Sequence, residues 1–480
     1  MLNELKIHVL DCRDIEYFMR HGEMAKEPSH LGYVDALTPA MMGALKSRSA
    51  AGIMEDLKKI RDKGADHIIG QFFKKYGHAS IGQNSGIVQI YIEGCSMQAA
   101  KAIQDFVFYN GQECSTRYID FTEFTGVYPQ TMTDEIKEAF DAAYGYAKNF
   151  YTDALEWKKE ELKKEIPNYP SVFGNASDAK RDNIINAKAF DVCRSLLPTG
   201  ARTMVAWHSL IETLTYRLPE LMAHELEEVV YIAAALHKEL RNKYPDAISQ
   251  VNPEVLLYNQ DNRQERESAE IQPIEDCILD TSLLTPNALG KLALARKMSK
   301  QRLSNHLKLE GVVRWSMNID YGSWRDLQRH REIYTSEPIL TATNGFHEWY
   351  YDELKDMPGF DARMKTMRHH INTVNKLVGR NTRTAAYVIP MGFKVSATIV
   401  CTLPQLVYIG ELRSGHTVHP TARKAVLDMI DQLTEKTKET FRELDPSFNF
   451  NAFLQFNFTT DAPRLFYAKR GDQNFDEILK

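Results

Sequence analysis

The segment Arg325-Asp326-Leu327-Gln328-Arg329-His330-Arg331 ends in three adjacent cationic or potentially cationic groups. Such a trio is costly unless an anion or an acidic partner neutralises it. A guanidinium fork suits phosphate because two N–H donors meet two oxygens at once. The plainer alternative is a solvated basic helix face, with Asp326 and Glu332 supplying the partners. Earlier in the chain, Gly111-Gln112-Glu113-Cys114-Ser115-Thr116-Arg117-Tyr118 sets a carboxylate (Glu113), a hydroxyl (Ser115) and a guanidinium (Arg117) at every second position. In an extended chain these side chains point to one side, as the phosphate and sugar hydroxyl of a nucleotide require. A loop held by its own Ser/Thr hydrogen bonds is the alternative there.

The elements that must position these groups are mostly helical. Residues 140–165 and 225–242 carry apolar residues at three- and four-residue intervals. Residues 86–93 and 311–319 read instead as strands, rich in β-branched and aromatic residues and followed shortly by Gly94 and Gly322. The polar run from Asn259 to Glu270 is the best linker, dividing the chain into a first unit over 1–258 and a second over 271–480. Two features recur in both parts. One is a strand, turn and helix at 87–118 and again at 312–341. The other is an apolar helix opening with a Pro-x-Gly turn and ending in Arg, from Leu197-Pro198-Thr199-Gly200 to Arg217 and from Ile389-Pro390-Met391-Gly392 to Arg413. This pattern predicts two similar units in tandem.

Composition narrows the function classes. The 480 residues are 43% hydrophobic and 26% charged, with 59 Lys+Arg against 64 Asp+Glu, a formal charge of −5. That balance argues against wholesale binding of nucleic acid or anionic membrane, and the apolar content argues against disorder. Six scattered cysteines form neither a CxxC pair nor a zinc-like cluster, so no metal site is expected and the thiols read as reduced. The first residues lack a signal-peptide pattern, and no run approaches the ~18 apolar residues of a membrane span. The expectation is a cytoplasmic, soluble protein.

Taken together, the motifs resemble the flavin-dependent thymidylate synthases, whose signature has the form RHRxxSxxxxSxRY and is preceded by a HxSxxEH-like segment. The first half has His78-Ala79-Ser80 followed by Gln83, where the family prefers Glu. It has Asp105-Phe106-Val107 where RHR should stand, but keeps Glu113, Ser115, Arg117 and Tyr118 at the right distances. The second half keeps Arg329, His330 and Arg331 but reads Ile339-Leu340-Thr341-Ala342 where SxRY should end. Each half alone is a poor match; together they contain one whole signature.

The resemblance implies an α+β fold of two tandem units, each a small, mainly antiparallel sheet with a helical bundle. It implies reductive methylation of dUMP to dTMP, with methylenetetrahydrofolate as carbon donor, FAD as cofactor and NADPH as reductant. The family assembles its site between subunits, so a homodimer of tandem chains would mimic the family's tetramer, with RHR of the second half meeting ExSxRY of the first. By resemblance, Glu113, Ser115, Arg117 and Arg194 position the nucleotide. Arg217 stabilises charge developing on the uracil ring, and Arg329 joins it as a catalytic group. His78, Ser80, Arg329, His330, Arg331, Arg413 and His416 hold the flavin. His208 reads as a core histidine. Asp326 departs from a family glutamine, and a carboxylate there repels a phosphate by ~1–4 kcal/mol, depending on the effective dielectric, unless it pairs with Arg325 or Arg329. Hydroxymethylation of dUMP or another uridine modification is the nearest alternative activity. A non-catalytic nucleotide- or flavin-binding protein is the alternative outside enzymes.

Overall fold

The computed structural model describes residues 4–25, 36, 38–39, 52–55, 58, 86–117, 119–130, 132–245, 247–270, 277–295, 302–330, 332–335, 338–379, 383–415 and 418–444. His78, Ser80, Gln83, Tyr118, Arg331 and His416 lie outside them.

The strands form two four-stranded antiparallel sheets, and buried side chains alternate along most of the long strands Ile87–Ser96, Val312–Asp320 and Lys394–Thr402. The first contains β1 (Lys6–Leu10), β2 (Ile87–Ser96), β3 (Asn110–Glu113) and β4 (Arg202–Leu210), in the spatial order β1-β2-β4-β3. The second contains β5 (Ile278–Asp280), β6 (Val312–Asp320), β7 (Ile333–Thr335) and β8 (Lys394–Thr402), in the order β5-β6-β8-β7. The order is the same in both. In each sheet the long second strand runs straight into a short helix, Met97–Gln104 after β2 and Tyr321–Gln328 after β6. In each, the fourth strand also runs into a helix, Ile211–Met222 after β4 and Leu403–Arg413 after β8. The class is α+β.

Contacts divide the chain into two compact units that do not coincide with the sequence halves. One comprises 1–103, 108–114 and 202–269, and holds the first sheet. The other comprises 104–107, 115–201 and 270–480. The second unit therefore contains the second sheet together with the long first-half helices Asp134–Lys164 and Asp178–Cys193. Helix Asp134–Lys164 packs there against Phe360–Val378, with Phe150 and Phe360 ring centroids 5.9 Å apart.

Three expectations need correction. Residues 259–270 are the second part of a helix, Pro253–Glu270, and not an extended linker. Asn252 starts it by accepting from the Glu254 N–H at 3.0 Å, Pro253 fits the first turn, and the polar run that follows lacks Gly and Pro, so nothing breaks it. The Pro-x-Gly turns open strands β4 and β8, and the helices come only afterwards, because Val395, Ala397, Ile399 and Cys401 alternate inward at period 2. His208 is exposed on β4 and is not a core residue.

Those two turns pair with each other inside the second unit. Thr199 N–H donates to the Ile389 carbonyl at 3.0 Å, and Met391 N–H donates to the Leu197 carbonyl at 2.9 Å. Gly200 N–H reaches the Tyr387 carbonyl and Gly392 N–H the Ser195 carbonyl, at 2.7 and 2.9 Å. The exchange is reciprocal, as a local two-fold relation requires. It also explains the glycines: a Cβ on Gly200 would lie 2.7 Å from the Tyr387 carbonyl oxygen, and one on Gly392 would lie 2.7 Å from Ser195 Cβ.

Candidate active site

The corner between β6 and helix Tyr321–Gln328 organises a buried polar cluster in the second unit. Asp320 ends the strand and caps the helix, accepting from the Ser323 N–H at 2.8 Å. The first helical N–H groups are held by the Pro-x-Gly turn, Tyr321 donating to the Phe393 carbonyl and Gly322 to the Met391 carbonyl, both at 3.0 Å. The helix then presents Ser323 and Asp326 to Arg194, which follows helix Asp178–Cys193.

Arg194 is 2% exposed. Its Nη1 donates to Asp326 Oδ2 at 3.2 Å and its Nη2 faces Ser323 Oγ at 3.5 Å. Asp326 Oδ1 is paired with Arg329. One carboxylate thus joins a first-half arginine to a second-half arginine: it offsets the repulsion between the two guanidinium groups, and they offset the repulsion it would exert on a phosphate. Burial alone would lower the Arg194 pKa, but Tyr350, Asp191 and Asp320 around it raise it on balance, so the guanidinium stays charged.

Arg117 makes a two-pronged pair with Asp191, Nε to Oδ1 at 2.5 Å and Nη2 to Oδ2 at 2.7 Å. His419 lies against the same residue: its Nε2 is 3.1 Å from the Asp191 carbonyl oxygen. A carbonyl only accepts, so Nε2 carries the proton, and the Thr421 N–H can only donate to Nδ1 at 3.4 Å. His419 is therefore a neutral imidazole. Burial, then Arg194 and Arg117, push its pKa well below the ordinary histidine value, in agreement. Tyr350 donates to Asp320 Oδ2 at 3.0 Å and lies 3.2 Å from His419 Nε2. Burial and the Asp320 charge hold its phenol well above the ordinary tyrosine pKa, so it remains protonated.

A second charged group adjoins this one. Lys188 lies 4.8 Å over the Trp349 ring and 3.2 Å from Glu353, which also pairs with Lys158 at 2.7 Å. Burial lowers the Lys188 pKa against the pull of Glu353. Burial would raise the Glu353 pKa, but the two lysines lower it.

The members that reach solvent decide what the cluster can do. The Arg117 side chain is 17% exposed and that of Arg329 38%. These two are the edges from which fixed N–H donors can meet an anion, while Arg194, His419 and Tyr350 stand behind and hold the acids in place. His330 next to Arg329 is buried, and Arg413 Nε, which can only donate, meets its Nε2 at 2.8 Å. In the neutral ring the proton is then on Nδ1, a donor. Among the described residues, no group of three or more His, Cys, Asp or Glu is placed to hold a metal ion.

Residues 35–246 match the profile of a family described as thymidylate synthase complementing protein. Relatives match far more of the chain at low identity. A UPF0159 protein of Chlamydia muridarum is 23% identical over 414 residues, covering 75% of this chain and 77% of that protein. A UPF0159 protein of Thermoplasma acidophilum is 22% identical over 469 residues, covering 82% and 92%. Within the thymidylate synthase complementing segment lie Ser115, Arg117, Arg194 and Arg217, whereas Arg329, His330 and Arg413 lie beyond it.

The structure brings Arg117, Arg194 and Arg329 into one cluster and joins His330 to Arg413. Ser115 is beside Arg117, its Oγ accepting from the Arg117 N–H at 3.2 Å, so this segment is a turn held by its own hydroxyl and not a strand with three aligned side chains. β3 ends at Glu113, which forms a buried pair with Lys101 at 2.7 Å in the first unit. Arg217 also belongs to the first unit, donating to Glu220 at 2.9 Å and to the Ala102 carbonyl at 2.8 Å. Sequence reasoning missed Asp191, Asp320, Tyr350 and His419. Asp320 was legible as a helix cap, standing three residues before Ser323, and His419-Pro420 as the start of a helix; the other two carry no local signal.

Proposed function

We propose that the chain is a flavin-dependent thymidylate synthase-type enzyme, converting dUMP to dTMP with methylenetetrahydrofolate and NADPH. The observation that carries this reading is Asp326, which ties Arg194, a nucleotide-side residue by resemblance, to Arg329, a flavin-side residue. Arg194 and Arg329 come from different halves of the chain and share one carboxylate. The equal strand order of the two sheets and the reciprocal Pro-x-Gly turns support descent of the halves from one duplicated unit.

The donor chemistry at the edge fits FAD. The Arg329 side chain is 38% exposed, and a guanidinium there suits an anionic cofactor rich in acceptors. Bound FAD would supply the hydride chemistry that replaces a cysteine nucleophile. The chain's part is recognition and orientation. Arg117, fixed by two bonds to Asp191, places a guanidinium charge where the nucleotide phosphate would bind. Neutral His419 and protonated Tyr350 keep Asp191 and Asp320 in register without adding charge. Arg217 donates to oxygens of the uracil ring as negative charge develops there.

Purified full-length protein should be yellow and bleach with NADPH. Mass analysis of the nucleotide after incubation with dUMP, methylenetetrahydrofolate and NADPH should show a methylated product. A hydroxymethylated product would redirect the reading to the related uridine modification. Colourless protein that binds no FAD would overturn it.

A further inference from the structure

The geometry points to a second anion site, in a hollow of the second unit, that takes a phosphomonoester of mononucleotide size. It does not depend on the proposed reaction. The hollow encloses about 400 Å³ and lies where the second half reads Leu340-Thr341-Ala342-Thr343, the stretch that departs from the phosphate-holding signature.

Three features give it its character. Arg368, Asn372 and Lys376 fall at four-residue intervals on helix Phe360–Val378, so they share one face of it, and all three line the hollow. His369 lines it too, and among the described residues no carboxylate does. Among the described residues neither Arg368 nor Lys376 forms an ion pair, and the Arg368 guanidinium is steadied by stacking 5.6 Å from the Phe393 ring. Opposite the helix, Thr341 and Thr343 share a 2.6 Å hydroxyl–hydroxyl bond, in which one donates to the other and the second hydroxyl hydrogen is left to point elsewhere.

Two cations and a hydroxyl donor match a phosphate dianion, and the space exceeds what bare phosphate fills. The remaining wall combines Ala385 and Ile389 with the carboxamides of Asn372 and Asn375. Apolar surface beside paired donor and acceptor groups suits a flat heterocycle with polar edges. Arg368 also lines a second hollow, whose wall includes Glu348, Asp352, Asp361 and Lys365.

The test uses a readout local to this hollow. Full-length protein is treated briefly with an acetylating ester, and Lys376 modification is measured by peptide mass spectrometry with dUMP, deoxyuridine, inorganic phosphate or sodium chloride at matched ionic strength. Millimolar dUMP should slow Lys376 acetylation at least fivefold and phosphate less, while deoxyuridine and chloride leave it unchanged. Arg368→Ala should abolish the protection. Asn372→Asp, which keeps size and helix but adds a negative charge, should do the same. Equal rates in all four solutions, or protection that survives both substitutions, would overturn the site. A protein that protects Lys376 but neither binds FAD nor methylates dUMP would reject the proposed function and keep this one.

Discussion

The same corner occurs twice in this molecule and has been furnished in opposite ways. Ser96 ends β2 and accepts from the Ala99 N–H at 2.9 Å; Asp320 ends β6 and accepts from the Ser323 N–H at 2.8 Å. From that shared backbone start, the first corner closes on itself. Ser96 is held by Glu228, through Oγ at 2.6 Å and N–H at 2.8 Å, and Lys101 is sealed against Glu113 with both side chains at most 2% exposed. The second corner puts Asp326 where the first has Ala102 and Arg329 where it has Asp105, and its charges connect outward to Arg194. A strand-to-helix corner is a geometric device; whether it stabilises or recognises depends on where its charges find partners.

The comparison breaks most visibly in stability. Lys101→Met takes from buried Glu113 its 2.7 Å ion-pair partner and should cost about 3–5 kcal/mol in urea unfolding, while the double change Lys101→Met with Glu113→Leu should recover most of it. If the single change is silent, the first corner is not the closed one described.

Turnover should separate the corners next. Arg329→Ala is expected to lower kcat/KM for dUMP about 100-fold, some 2.7 kcal/mol, the scale of one lost electrostatic donor. Asp105→Ala, at the matching position, should leave it within about twofold.

The third contrast lies in pH. His419 is held neutral in the fold, so its folded pKa is below its unfolded value. As pH falls below the ordinary value near 6.5, the unfolded chain takes up a proton that the folded chain refuses, and stability is lost with a limiting slope of about 1.4 kcal/mol per pH unit. His347 and His370, also depressed mainly by burial, act in the same direction. Unfolding measured between pH 7 and 5 should therefore show a shallower slope in His419→Gln than in the parent. An unchanged slope would remove His419 from the account.

The smallest effect belongs to the relict charge of the first corner. Asp105 accepts from Thr335 Oγ1 at 3.3 Å, and Asp105→Ala should cost no more than about 0.5–1 kcal/mol. A larger cost would show that this contact carries structure of its own.

Much of the local architecture was legible in the chain. Strands 86–93 and 311–319 are found within a few residues of their observed limits, because period-2 alternation and β-branching act on the backbone directly. The helices at 140–165 and 225–242 are likewise found, as Asp134–Lys164 and Glu227–Lys243. The polar run at 259–270 misled because polarity reports solvent exposure, whereas helix formation depends on breakers and caps. The Pro-x-Gly turns misled because apolar content alone does not separate a buried strand from a buried helix.

By itself, the sequence determined the residue types that recognise anions and the strand-to-helix elements that carry them. It could do so because these depend on neighbours only a few positions apart. Only the tertiary structure decided which charges neutralise one another. Arg117 with Asp191, Arg194 with Asp326 and Lys101 with Glu113 are all salt bridges by type, but burial makes each obligatory, and which partner arrives is set by the packing of helices and turns distant in the chain.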